Sequence, residues 1–191
     1  MSGTSQTMRP LGKGRHGTTF LALLSKTLPM SSTHPGGALL HAQATADVAA
    51  AARDAYRMIA DYRAGHPRII PPRYFRNLTV EQGGYGDGTV INYDMIAFGK
   101  TRRARARVTE PEPGRVLVET DLDIGAVTTF VVEPLGAAKS RVTIATDLPT
   151  RGGPLGWIER KVAGPFLNRA FVAELAQLDA ELKADASKRS V

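Results

Sequence analysis

Short runs of apolar and polar residues with a period near two recur between residues 38 and 148, interrupted by clusters of Gly, Pro and acidic residues. The first such stretch, "ALLHAQATA" at 38 to 46, predicts a short strand. Residues 47 to 62 switch to helical spacing: Val48, Ala51, Ala55, Met58, Ile59 and Tyr62 share a face, with Asp47 as the expected N-cap. Pro67, Pro71 and Pro72 exclude one regular helix after that, so a short helical turn or loop leads into a strand at 74 to 82. "GGYGDG" at 83 to 88, Gly99-Lys100 and "PEPG" at 111 to 114 then punctuate strands expected at 89–98, 101–110 and 115–121. Two more are expected at 126–134 and 140–148. Connections this short join only antiparallel neighbours. Near the end, Leu155, Ile158, Val162, Phe166, Phe171, Leu175, Leu178 and Leu182 keep mostly three/four spacing. They predict a long amphipathic helix that Gly164-Pro165 should bend or break, followed by a frayed tail over 186–191.

Loop length implies a register. A Gly99-Lys100 loop suits a type II′ turn and pairs Phe98 with Thr101, Ile96 with Arg103, Asp94 with Arg105 and Asn92 with Arg107. The next turn pairs Thr109 with Arg115, which sets Arg105 opposite Glu119 and Arg103 opposite Asp121. An outer row Asp94–Arg105–Glu119 follows, with Arg107, Lys100 and Arg102 left unpaired. On the inner face Ile91, Tyr93, Met95 and Ala97 line up with Val108, Ala106, Ala104 and Arg102, then with Val116, Val118, Thr120 and Leu122. The small Ala104 and Ala106 serve either close packing or room for a ligand, with Tyr93 and Thr120 as polar handles.

Charge modifies this picture little. The formal charge is +7 over 191 residues, but Arg9, Lys13, Arg15 and Lys26 carry four of those charges in an acid-free start rich in Gly, Ser and Thr. Residues 1–37 therefore read as a disordered basic extension, with a start at Met30 an open alternative. "FLALL" at 20 to 24 is far too short for a membrane span, and with Lys26 after it makes a poor signal peptide. A mildly basic body whose arginine strand lacks interleaved aromatics argues against nucleic acid as partner. Arg53, Arg57 and Arg63 on the first helix admit peripheral membrane contact at most, and solvation explains them as well. Cysteine is absent, which excludes disulfides and thiol chemistry and fits a cytoplasmic location. His16, His34, His41 and His66 share no metal-ligand spacing, so no metal is expected.

The order strand, helix pair, six antiparallel strands and long helix resembles the SRPBCC superfamily, which includes START domains, Bet v 1-like proteins and polyketide cyclase/dehydrase-like proteins. The stretches "VEQGGYGDGTVINYD", "VTEPEPGRVLVE", "SRVTIATDL" and the last helix carry the likeness, over residues 38–185. The resemblance implies an α+β helix-grip fold: a curved antiparallel seven-stranded sheet wrapped around the C-terminal helix, with a short helix pair after the first strand. It also implies a cavity between sheet and helix for a small hydrophobic or aromatic ligand, lipid or polyketide-like, and no cofactor. On that basis Ile91, Tyr93, Met95, Ala104, Ala106, Val118, Thr120, Trp157 and Phe166 are the expected ligand-binding residues.

Candidate chemistry is sparse. His66 lies near Asp61 in the Pro-rich segment, and with Tyr93 they are the candidates for acid–base work. A polar surface loop explains the same residues. Trp157 belongs to the core or the cavity rim, and Asn168 either faces the cavity or caps the bend at Pro165. Binding or transport of an apolar ligand is the first expectation. A cyclase/dehydratase-like enzyme acting on such a ligand is the second, and an interaction module using the basic tail and hairpin tip is the third.

Overall fold

The computed structural model describes residues 38–189; the expected basic extension at 1–37 and the last two residues lie outside them. Seven strands form one antiparallel sheet in the order β1-β7-β6-β5-β4-β3-β2. They are β1 (Ala38–Val48), β2 (Phe75–Gln82), β3 (Val90–Ala97), β4 (Lys100–Glu112), β5 (Val116–Asp121), β6 (Val127–Gly136) and β7 (Lys139–Thr150). Helices α1 (Ala52–Ala60) and α2 (His66–Ile69) follow β1, and α3 (Gly153–Arg189) closes the chain. This is the helix-grip arrangement.

One face of the sheet is dry. Leu40, Ala42, Ala44 and Val48 of β1 and Val142 and Ile144 of β7 are buried, at the alternation a half-buried strand requires. Leu167, Phe171, Leu175, Leu178 and Leu182 of α3 pack against them. Each such side chain contributes about 1.5–3 kcal/mol by leaving water, so this seam holds the fold together. The helix runs unbroken through Pro165 and on to Arg189, past the residue where a frayed tail is expected. Gly164 suits that place because it has no Cβ to meet the following proline ring.

Three local expectations change. Asp47 is not an N-cap: β1 continues through Val48, and Asp47 accepts from Arg141 at 2.8 Å and pairs with Lys139 at 3.0 Å across the strands. The β3–β4 loop is Phe98-Gly99, with Ala97 opposite Lys100. Both loop residues have positive φ, 51° and 73°, as a type I′ turn demands, so the pairing slips by two residues. An even slip keeps every side chain on its face, and Ile91, Tyr93 and Met95 still point inward with Ala104 and Ala106.

The β4–β5 slip is odd. A bulge between Thr109 and Glu112 pairs Thr109 with Val118, Val108 with Glu119 and Ala106 with Asp121. An odd slip turns the whole strand over. Leu117, Glu119 and Asp121 therefore face inward beside Val108 and Ala106, and Val118 and Thr120 face outward. The Asp94–Arg105–Glu119 row does not exist. Arg105 instead holds Glu81 with two hydrogen bonds at 2.6 and 2.7 Å, and Asp94 accepts from Asn77.

Candidate functional site

The sheet and α3 do not meet everywhere. Between them lies a cavity of about 140 Å³, with His66 of α2 in its lining. Ile91, Met95, Ala106, Phe130, Leu167 and Phe171 give it an apolar wall. Into this space the inverted β5 delivers Glu119 and Asp121, α3 delivers Glu174, α2 delivers His66, and the β3–β4 hairpin delivers Tyr93 and Arg102.

His66 is held from three sides. The Asp61 carbonyl accepts its backbone N–H at 2.7 Å, and its ring stacks on Tyr62 with centroids 4.6 Å apart. Nδ1 lies 2.7 Å from the Ile59 carbonyl, which can only accept, so Nδ1 carries the proton. When the ring is neutral, Nε2 is left as a base facing Glu119 Oε1 at 3.8 Å and Glu174 Oε1 at 3.9 Å. The segment itself is anchored to α3. Arg68 reaches Glu181 and Asp185 with hydrogen bonds of 2.5 to 2.9 Å, and Gln177 donates to the Arg68 carbonyl at 2.7 Å.

The two glutamates are not equivalent. Glu119 accepts from the Tyr62 hydroxyl at 2.5 Å. Glu174 is only 4% exposed, and its Oε1 has no hydrogen-bond partner. Burial, reinforced by the Glu119 charge, pushes the Glu174 carboxyl well above the usual carboxylate range. Burial likewise raises the phenols of Tyr62 and Tyr93, with Glu119 adding to both. Farther along the cavity Arg102 donates to Asp121 at 2.5 Å, while its Nη1 has no hydrogen-bond partner. Asp121 in turn accepts the backbone N–H groups of Asp123 and Ile124, which fixes the β5–β6 turn.

Among the described residues only three buried side-chain polar atoms lack a hydrogen-bond partner, and two of them, Glu174 Oε1 and Arg102 Nη1, belong to residues lining this one cavity. An unpartnered buried acid and donor in one apolar space suit a ligand that carries oxygen. No group of three or more His, Asp or Glu side chains among the described residues is placed to hold a metal ion.

A family model described as "Polyketide cyclase / dehydrase and lipid transport" matches residues 40–183. The chain belongs to this family. Members of the START/Bet v 1-like (SRPBCC) superfamily share its fold. KanY protein is 24% identical with a TM-score of 0.67, over 76% of this chain and 99% of that one. The ZhuI aromatase/cyclase of Streptomyces sp. R1128 is 21% identical with a TM-score of 0.64, over 76% and 94%. Norcoclaurine synthase of Thalictrum flavum, in complex with dopamine and hydroxybenzaldehyde, is 16% identical with a TM-score of 0.59, over 95% and 98%. At these identities the likeness speaks for the fold alone. No curated protein sequence matches the chain.

The expected site residues divide. Ile91, Tyr93, Met95, Ala106 and Phe166 line the cavity together with His66. Ala104 is buried opposite Tyr93 but does not reach the space. Val118 and Thr120 fall on the outer face because β5 is inverted. Trp157 is 57% exposed, in neither core nor cavity, with Lys161 over its ring at 5.5 Å. Asp61 turns away to accept the backbone N–H groups of Arg63 and Ala64, both at 3.0 Å. Asn168 donates to the Gln43 carbonyl of β1 at 2.7 Å, tying helix to sheet. Arg102, expected to be unpaired, is the partner of Asp121.

Sequence reasoning missed Glu119, Asp121 and Glu174. For Glu174 a signal existed: Phe171, Glu174 and Leu178 are spaced three and four apart, which puts a carboxylate on the buried stripe of the helix. The other two were hidden by the bulge.

Proposed function

We propose that the protein binds a small aromatic or apolar carbonyl compound and transfers protons on it, as a cofactor-free acid–base catalyst of the cyclase/dehydratase kind. The observation that carries this reading is the unpartnered, buried Glu174 carboxyl beside the free Nε2 of His66. A carboxyl whose pKa burial raises is suited to give up a proton to a bound ligand, and an imidazole whose Nδ1 proton is held by a carbonyl presents Nε2 as the proton acceptor. A carbonyl oxygen near Glu174 takes its proton while the C–H bond on the adjacent carbon breaks toward His66 Nε2. The bonding electrons move into the new C=C bond of the enol, and reversal restores both groups. Arg102 Nη1 supplies a donor for a second oxygen of the ligand. Cyclisations and dehydrations of carbonyl compounds start from this step. The cavity volume supports a ligand part of about one ring, since an apolar cavity of roughly 150 Å³ accommodates benzene.

Acetophenone and phenylacetone in D2O test the reading. Mass spectrometry and NMR should show deuterium entering the carbons next to the carbonyl faster with the protein than without it. Glu174→Gln should lower that rate by about 10²-fold, the lower end of the range for a positioned acid or base, with ligand affinity retained. Binding without exchange would leave a passive carrier of apolar ligands, the other reading the family description admits. Exchange that survives Glu174→Gln would remove Glu174 from the chemistry.

A further inference from the structure

Two phenylalanines stand between the cavity and a second space. Phe98 and Phe166 line both, with ring centroids 5.3 Å apart, and Tyr74 meets Phe166 edge-on at 5.4 Å. Beyond them is an open cleft of about 770 Å³. The cleft carries Arg73, Lys161 and Arg169 and no carboxylate. Among the described residues none of these three cations lies within 4.0 Å of an acid. Arg73 and Lys161 are steadied by aromatic faces instead, 5.6 Å from the Tyr74 centroid and 5.5 Å from that of Trp157. Positive charge is therefore left unneutralised at the cavity mouth, in contrast to Arg68, Arg102, Arg105 and Arg141, each bonded to an acid.

Phe98 is a second, independent sign. A type I′ turn favours Asn or Asp followed by Gly, because both central residues need positive φ. Phe at φ 51° is a poor choice for the turn, and a bulky residue held there is strained. It places a half-exposed ring on the boundary between the cavity and the basic cleft. Strain retained at such a point marks a device for the ligand rather than for the hairpin.

From these two observations we infer that the ligand is an amphipathic anion. Its apolar ring passes Phe98 and Phe166 into the cavity, and a carboxylate or similar group stays outside, held by Arg73, Lys161 and Arg169. Phe98 closes over the junction between the two parts. This inference rests on the reading that the cavity binds a small apolar compound, and it adds the second half of the molecule. A cavity of about 140 Å³ has room for a ring but not a long acyl chain, which favours a free aryl acid over a membrane lipid as the source of the anion.

Calorimetry with 3-phenylpropanoate and its neutral amide, 3-phenylpropanamide, separates the two layers. The acid should bind about tenfold tighter than the amide at low salt, since three partly exposed charge contacts act together. That preference should shrink at 0.5 M NaCl. It should also vanish in the Arg73→Gln/Lys161→Gln/Arg169→Gln variant, whose circular dichroism and melting should match wild type and whose affinity for the amide should be unchanged. Phe98→Asn suits the positive φ and removes the ring, so stopped-flow dissociation of the acid should quicken by about tenfold, a step of the size that separates related complexes by off-rate. Equal affinity for acid and amide overturns the inference but leaves the cavity reading standing. Failure of both to bind overturns the two together. Salt-sensitive sedimentation with phosphatidylglycerol vesicles, lost in the triple variant while the acid shows no preference, would assign the cations to a lipid surface and overturn the free-acid assignment.

Discussion

Glu174 shows how one side chain links stability to chemistry. Its carboxyl is buried, unpartnered and raised in pKa, so the native state keeps a proton that the unfolded chain releases above the ordinary glutamate value. The stabilisation associated with that proton is present below about pH 4.5, and it is lost as pH rises toward the folded-state value. Glu174→Met removes the unpartnered polar group at similar volume and should stabilise the protein by about 1–3 kcal/mol at pH 8, the usual cost of an unsatisfied buried group. The gap between variant and wild type should narrow toward pH 4.5 in parallel urea titrations. A gap independent of pH would mean that the carboxyl is not the source. A residue whose removal improves the fold is one that the fold does not require, which is how a working site is expected to behave.

At the scale of elements, the contrast between two hairpins explains what the sequence could and could not disclose. Strand existence was legible throughout, because alternation and turn residues mark each one. The β3–β4 slip did no harm to the inferred face, since moving the turn from Gly99-Lys100 to Phe98-Gly99 changes the register by an even number. The β4–β5 bulge moves it by an odd number, and "RVLVETD" has apolar residues in both phases, so nothing in β5 itself selects the buried set. The site's two β5 acids were lost for that reason alone. His66 was legible as a candidate because the Pro-rich segment isolates it, while the Tyr62 stack and the Ile59 carbonyl that fix its tautomer depend on tertiary packing. Pro165 is the reverse case, a breaker that does not break. Leu167, Phe171, Leu175 and Leu178, all C-terminal to it, hold the helix to the sheet. Pro165 itself is exposed, so Pro165→Ala restores a backbone hydrogen bond without disturbing the core. It should raise stability by about 2–3 kcal/mol, read as a higher urea midpoint at unchanged slope.

Over the whole molecule, the titratable groups divide by location, and the division sets the pH range in which the fold is stable. Surface carboxylates are lowered by their cationic partners: Asp47 by Arg141 and then Lys139, Glu81 by Arg105, and Asp185 by Arg68. Each contributes stability that is present above its unfolded value near pH 4 and lost as acid protonates it. The buried Glu174 carboxyl and three phenols are raised instead. Tyr62, Tyr93 and Tyr56 are all pushed up, first by burial and then by neighbouring carboxylates, Glu119 for the first two and Glu110 for the third. Above pH 10 the unfolded chain loses these phenolic protons while the native state keeps them, so three coupled losses should make alkaline unfolding steep. A melting series from pH 3 to 12 should rise to about pH 5, fall gently above that as the Glu174 contribution fades, and drop sharply beyond pH 10. Tyr62→Phe tests the last limb. It removes one raised phenol and leaves Glu119 without its 2.5 Å donor, so melting should fall at pH 7 yet decline less steeply between pH 10 and 12. An alkaline slope identical to wild type would show that the phenols are not what holds the native state there.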